Sequence, residues 1–414
     1  MFKVISLSLS PNTEKDDVAL ALRLIFTPWQ WKKGEAITEL EKAFKNKFNL
    51  GPCFSFNSGR SCLLAILEAI QIKEGDEVII QSFTCNAVVN PILKFKAKPV
   101  YVDIGQDLNM DVSKIESKIN SKTKAIIAQH TFGMPCDIEN IRNLCQKHNL
   151  ILIEDCAHSL GAKINEKYCG SFGDFSFFSF GRDKVISSVY GGMVAVNNPK
   201  FLEKIKDFQK NCRFPYDLWT LQQLLHPVLT NLLILPFYNV LLGKIVMALS
   251  INLNILSKSV TQKENIGILP SYFPYRLPNG LAILALNQLS KLDRFNAHRK
   301  ELAQFYKQEL ANNPEVELVY SNILENKEPI YLKYPLINKT GRDIFKTMRA
   351  SNIYLNDGWR DSAIMPPSTD LEKMDYVSGS CYLAEQISKQ IFHLPTHINI
   401  SINDAKKIIY LLKP

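Results

Sequence analysis

Two ionisable residues of opposite charge, Asp155 and Lys184, each stand just past a short apolar run. Residues 150–153 are leucine and isoleucine and lead into Glu154 and Asp155. Residues 175–180 read FSFFSF and lead through Gly181 to Lys184, with the pair Gly191 and Gly192 beyond. Short runs of this kind suit strands buried on both faces. Ligands of an open parallel sheet lie beyond the carboxyl ends of its strands, so a carboxylate and an amine placed there can act on one molecule. A third group is CFSFNSGRSCLLAILEAI over residues 53–70, which reads as a strand, a turn at Ser58 and Gly59, and a helix. The free N–H groups at the start of such a helix bind phosphate without a cation, and Arg60 and Ser61 add side-chain donors. Taken alone, a serine before a helix is most often only an N-cap.

A cofactor with a phosphate at one end, a ring nitrogen at the other and an aldehyde between them would engage all of these groups, and pyridoxal 5'-phosphate has those parts. Asp155 beside the ring nitrogen favours the protonated ring, which is the stronger electron sink. Lys184 can form the internal Schiff base and, once an amino donor displaces it, shuttle a proton as a free amine. His158, three residues past Asp155, can hydrogen-bond the phenolic oxygen or pack on the ring, and Ser179 can reach the phosphate. A lone lysine is ordinarily a solvated surface residue; its place after FSFFSF, downstream of ILIED and ahead of a glycine pair, reverses that expectation. His130, in QHTFGMPCD, also falls at a strand end, where a lone histidine is more often structural than catalytic.

The elements that must carry these residues alternate. Residues 78–81, 100–104, 125–129 and 150–153 read as strands, and 86–96, 112–119 and 138–148 as helices between them. Such βαβ spacing predicts an α/β fold with a mostly parallel sheet and helices on both faces. Helices are expected at 13–26 and 34–48 before it. Beyond residue 265 the pattern becomes that of a smaller C-terminal α+β domain. It holds one long amphipathic helix beginning near Asn279, strands at 316–320 and 331–336, and helices at 342–350 and 403–412. The expected division is therefore a large domain over 1–264 with an N-terminal arm, and a small domain over 265–414.

One stretch interrupts this pattern. Residues 214–257 contain only two charges, Asp217 and Lys244, yet Pro227, Pro236 and several asparagines argue against a straight membrane-spanning helix. Basic residues flank both ends, as in a helical hairpin that enters and leaves on one side. It reads first as an insertion packed on a partner subunit or over the active site, and second as a peripheral membrane contact.

The chain has 414 residues, 46% of them hydrophobic, enough for a large core. The net charge of +9 is spread along the sequence without long single-sign blocks, which does not indicate nucleic-acid binding. Nine cysteines without a CxxC pair or metal-ligand spacing suit a reducing compartment, and no secretory signal is expected at the N-terminus. A cytoplasmic protein is expected, with the insertion allowing a place on the inner face of the membrane.

The sequence resembles the DegT/DnrJ/EryC1/StrS aminotransferases, sugar aminotransferases of fold-type I. The likeness runs through FNSGRSCLLAIL, QSFTCNAVVNPIL, AQHTFGMPCDI, LILIEDCAHSLGA, FSFFSFGRDKVISSVYGGMVAV, YRLPNGLAILALNQLSKLDRFNAHR and AEQISKQIFHLPTHINIS. It implies that Lys184 is the Schiff-base lysine, that Asp155 meets the ring nitrogen, and that Gly59, Arg60 and Ser179 bind phosphate. His158 lies where the family usually has glutamine. The chain departs from the pattern at four points: Arg60 for threonine, Cys85 where an aromatic ring often stacks on the cofactor, the pair Val189-Tyr190 for Gly-Glu, and Pro274 for an asparagine that reaches the partner subunit. The resemblance implies a homodimer that takes an amino group from a donor such as glutamate to a nucleotide-linked keto-sugar. The alternatives are another type I reaction on an amino acid, with Arg60 holding a carboxylate and Cys85 a candidate nucleophile, and a non-catalytic cofactor-binding protein at the membrane.

Overall fold

Seven strands with apolar residues on both faces build the frame. The computed structural model describes residues 3–321 and 323–413. Its central sheet consists of β1 (Cys53–Phe56), β2 (Glu77–Gln81), β3 (Lys98–Val102), β4 (Thr123–Gln129), β5 (Ile151–Asp155), β6 (Phe175–Ser179) and β7 (Gly192–Val196). They lie in the spatial order β1, β7, β6, β5, β4, β2, β3. Pairs among β3, β2, β4, β5 and β6 are parallel, whereas β7 runs antiparallel to both β6 and β1. The α/β reading with a mostly parallel sheet is therefore met.

Because side chains alternate along a strand, one sheet feeds two cores. Ile126, Ala128, Leu152 and Phe178 face the helices α1 (Ala36–Phe48) and α2 (Ile138–His148), while Ala125, Ile127, Ile153 and Phe177 face α3 (Gly59–Ala69) and its neighbours. The expected helix over 112–119 is instead two short 3₁₀ turns, Val112–Lys114 and Glu116–Lys118. Asp111 accepts the Ser113 N–H at 3.1 Å, a local turn that competes with helix initiation.

The long C-terminal helix divides at Lys291 into Asn279–Ser290, packed in the large core, and Leu292–Leu310, whose later turns join a third core around the small sheet. That sheet pairs Val316–Leu318, Lys333–Asn338 and Ile391–Pro395. The start of the N-terminal arm reaches the small sheet region, where Ile5–Ser6 pairs in parallel with Ile353–Tyr354, while Asn12 bonds to the Lys184 and Val185 carbonyls of the large unit. We propose that the two units divide near residue 292, inside the helix pair.

The insertion is a bent helical hairpin: Asp217–Leu229, a π-turn at Thr230–Ile234, and Leu242–Asn252. A Cβ at Gly243 would lie 2.2 Å from the Ile234 carbonyl oxygen, so only glycine lets the two arms approach this closely. Near its tip, Lys244 lies over the rings of Tyr238 and Tyr354, which ties the hairpin to the small unit. No helix among the described residues is long and apolar enough to cross a membrane.

Candidate active site

Three strand ends open onto one cavity of about 350 Å³. Asp155, the last residue of β5, lines it together with Gln129, the last of β4, and Ser179, the last of β6. Parallel register places Asp155 beside Gln129 on one side and Phe177 on the other. Lys184 enters from the turn after β6, closed by its own N–H to the Gly181 carbonyl at 3.1 Å.

Lys184 Nζ lies 2.9 Å from His158 Nε2. On its other side the imidazole accepts the Phe132 N–H at Nδ1, at 3.4 Å. The Phe132 N–H and the Lys184 ammonium are both donors, whereas a neutral imidazole has one bare nitrogen, so the ring accepts from one of the two at a time. Burial, with Lys184 and Lys333 nearby, pushes the His158 pKa well below its usual value and keeps the ring neutral.

Asp155 is 5% exposed and accepts the Ala157 N–H at 2.9 Å. Burial outweighs that bond and the Lys184 charge, and pushes its carboxyl up to about 6. A buried carboxylate held that high lacks a close cation.

The turn at Ser58 is built by caps and close approach. Ser58 accepts the Ser61 N–H at 3.1 Å as an N-cap, and Ser61 Oγ donates to Asn57 at 2.6 Å. The N–H groups of Gly59 and Arg60 are left for a ligand. A Cβ on Gly59 would stand 3.3 Å from that of Ser179, so the β6 serine meets the turn directly. Gly192 backs the same turn, where a Cβ would fall 2.8 Å from the Gly59 nitrogen.

Arg60 lines the cavity, but its guanidinium is engaged: Nε pairs with buried Glu264 at 2.5 Å and Nη2 donates to the Ser259 carbonyl at 2.8 Å. Cys85 lines the cavity as well, and burial raises its pKa, so it stands there as a thiol rather than a nucleophilic thiolate. His130 is wholly buried away from the cavity. It accepts the Cys136 N–H at Nδ1 and meets Glu154 through Nε2, and Glu154 also accepts the N–H groups of Gly170, Phe172 and Gly173.

Sequence spacing missed Arg182, Asp357 and Trp359, which also line the cavity. Asp357 Oδ2 takes Lys333 Nζ at 2.8 Å and His393 Nδ1 at 3.0 Å, and Oδ1 accepts the Trp359 N–H at 3.0 Å. Trp359 stands edge-on to His158, with ring centres 5.0 Å apart. The signal for Arg182 lay in GRDK, two residues before the lysine. Lys333, Asp357 and His393 are too far apart in sequence to show a pattern.

The sequence pattern of the DegT/DnrJ/EryC1/StrS aminotransferase family matches residues 12–220 and 253–413, leaving out only the start of the chain, the middle of the insertion and the final residue. The chain is 40% identical over 177 residues to a GDP-perosamine synthase of Vibrio cholerae, a match spanning 42% of this chain and about half (48%) of the relative's length. It is 26% identical over 409 residues to the GDP-perosamine synthase of Caulobacter vibrioides, spanning 97% of this chain and 96% of that one. Among solved structures, Helicobacter pylori PseC, an aminotransferase involved in the biosynthesis of pseudoaminic acid, superposes with a TM-score of 0.76 at 21% identity, over 99% of this chain and 98% of that one. That structural likeness speaks for the fold, and the family pattern speaks for membership: this protein belongs to the DegT/DnrJ/EryC1/StrS aminotransferase family.

Proposed function

We propose that this protein is a pyridoxal-phosphate-dependent aminotransferase that moves an amino group from an amino acid such as glutamate to a nucleotide-linked keto-sugar. The observation that carries this reading is the approach of Lys184 Nζ to His158 Nε2 in the cavity that Asp155 and the Ser58 turn also line. The residues fit the cofactor. Asp155 is a buried carboxylate in need of a cation, which a protonated ring nitrogen supplies, and Gly59 and Arg60 offer free N–H groups to a phosphate. When bound, the cofactor supplies an aldehyde for amines and an electron-withdrawing ring.

Around it, Lys184 Nζ attaches the cofactor and, when displaced, carries a proton to and from the donor carbon. His158 would meet the ring oxygen through Nε2, Asp155 would hold the proton on the ring nitrogen, and Ser58, Ser61 and Ser179 would complete the phosphate contacts. Purified protein mixed with the cofactor should turn yellow, lose that band on adding glutamate, and regain it with a nucleotide-linked keto-sugar. Protein that takes up no cofactor refutes the reading.

The Asp155 environment makes a signed prediction for the cofactor-free protein. A carboxyl raised from 3.8 to about 6 costs stability once ionised; the penalty is absent below about pH 4, grows to about pH 6 and is complete above it. Asp155→Asn should therefore stabilise the cofactor-free protein by up to about 3 kcal/mol at pH 8 and by almost nothing at pH 4, read by urea melts. The same change should weaken activity, because the ring nitrogen loses its counter-charge.

The same reading has the protein act as a cytoplasmic homodimer that rests on the inner face of the membrane through residues 214–257. Leu232, Leu241, Leu242, Ile245, Leu249 and Leu253 are all more than 45% exposed, and between Asp217 and Glu264 the chain has three lysines and no acidic residue. Burying such side chains is favourable by about 1.5–3 kcal/mol each, and lysines without carboxylates suit anionic headgroups. The protein should sediment with vesicles rich in phosphatidylserine, and Leu241→Glu with Leu249→Glu should abolish this. If the pair instead turns a dimer into a monomer and vesicles never bind, the face belongs to a second copy.

A further inference from the structure

The phosphate end of the cavity holds two arginines in different states. Arg60 is neutralised by Glu264 and tied to the Ser259 carbonyl. Arg182 has no carboxylate within ion-pair distance among the described residues. Among the described residues its side chain makes one hydrogen bond, from Nη2 to Ser257 Oγ, and its Nε is buried without a hydrogen-bond partner. The Tyr190 ring lies 5.7 Å from the guanidinium carbon and shields it from water. Burial disfavours the cation there most, and the charge of Arg60 adds to it, while Asp183 beside it in the chain offsets only part.

The holder of Arg182 is itself held by a residue outside the family pattern. Ser257 Oγ donates to Gln223 Oε1 at 2.7 Å, and Gln223 is fully buried in the first helix of the insertion. Gln223 lies within residues 221–252, the stretch that the family pattern does not match. Tyr190 donates to the Lys258 carbonyl at 2.6 Å, and Ser259 and Val260 themselves line the cavity. The return of the insertion therefore roofs the phosphate end of its own subunit.

We propose, resting on the cofactor assignment above, that Arg182 binds a phosphoryl oxyanion in this cavity and that the insertion positions it through Ser257 and Gln223. The oxyanion belongs either to the cofactor phosphate, beside Gly59 and Ser179, or to the diphosphate of a nucleotide-linked substrate. An arginine with four unused N–H groups matches the planar, multidentate acceptor that phosphate presents. A lysine or a hydroxyl at this position would not span it.

The test uses the full chain stripped of cofactor. Titrations with pyridoxal phosphate and with pyridoxal, which lacks the phosphate, are followed by absorbance for the wild type, Arg182→Met and Arg182→Lys. If the cofactor phosphate is the ligand, Arg182→Met weakens pyridoxal phosphate about 10- to 100-fold and leaves pyridoxal unchanged. Arg182→Lys then falls between, and Gln223→Leu shifts the ratio the same way by less. If the substrate is the source, the ratio stays put while the Kd of GDP for the cofactor-loaded protein rises by a similar factor. Should Arg182→Met not fold, the lysine and Gln223 variants read the same two quantities. Unchanged preference for phosphate together with unchanged GDP binding overturns the proposal. Wild-type protein that ignores pyridoxal phosphate altogether refutes the aminotransferase reading instead.

Discussion

Lys184→Ala should lose about 10⁴-fold or more in transamination, because in the proposed mechanism one side chain supplies both the covalent attachment and the proton carrier. A loss of that size corresponds to about 5 kcal/mol of transition-state stabilisation. Fold and cofactor affinity should change far less, since the phosphate turn, Ser179 and Asp155 stay in place. The check is paired: borohydride should fix the cofactor to the wild type and not to the variant, while single-turnover rates with glutamate fall by the stated factor. Retention of a reducible covalent link after the substitution would show that another amine does the work. The 2.9 Å contact to His158 adds a second expectation. A small added amine should rescue part of the lost rate, since His158 remains to orient it.

Asp357→Ala should be the most destabilising single change near the cavity. The carboxylate holds Lys333 and His393 with all three side chains at most 3% exposed, so its removal strands a buried ammonium. Breaking a buried pair from one side costs about 3–5 kcal/mol, well within reach of urea melts. The sign with pH follows from Asp357, whose carboxyl is held far below the usual carboxylate range by His393 and Lys333 against the cost of burial. Stability from such a group is complete above the unfolded value near 4 and is lost as pH falls through the lower folded value. The Asp357 carboxyl itself should thus leave the gap between wild type and variant unchanged from pH 8 to about 4 and narrow it only below, with any change between pH 4 and 6.5 coming from His393. Replacing Lys333 by Met in the same chain should recover much of the loss. Activity should fall too, because the Trp359 N–H anchored on Asp357 sets the ring beside His158.

Much of the site was legible in sequence because its parts are local. Asp155, Ser179 and Lys184 fall within one stretch of 30 residues, each at the end of a short apolar run, and in a parallel sheet strand ends share one edge. The Ser58 turn carried its own signature of strand, small residues and helix. Arg60 is different: its type suggested a ligand for an anion, and only the fold brings Glu264, over two hundred residues away, against its Nε. His130 was legible as structural, and Glu154 shows why, since it gathers backbone N–H groups that would otherwise stand unpaired inside the core.

The sequence by itself determined what repeats or sits next to its partner: the strand and helix alternation, the two-faced sheet, the phosphate turn, and the carboxylate and lysine of the central stretch. Periodicity encodes these because burial on a strand or helix recurs every two or 3.6 residues. Tertiary structure decided what no period marks. It joined the start of the N-terminal arm to the small unit and Lys333 to Asp357 and His393. It also placed the insertion's Ser257 on Arg182, at the phosphate end of a cavity whose lysine lies only two residues further along the chain. Those contacts rest on side chains meeting across long loops, where specificity comes from shape and charge at one point in space and leaves no spacing to read.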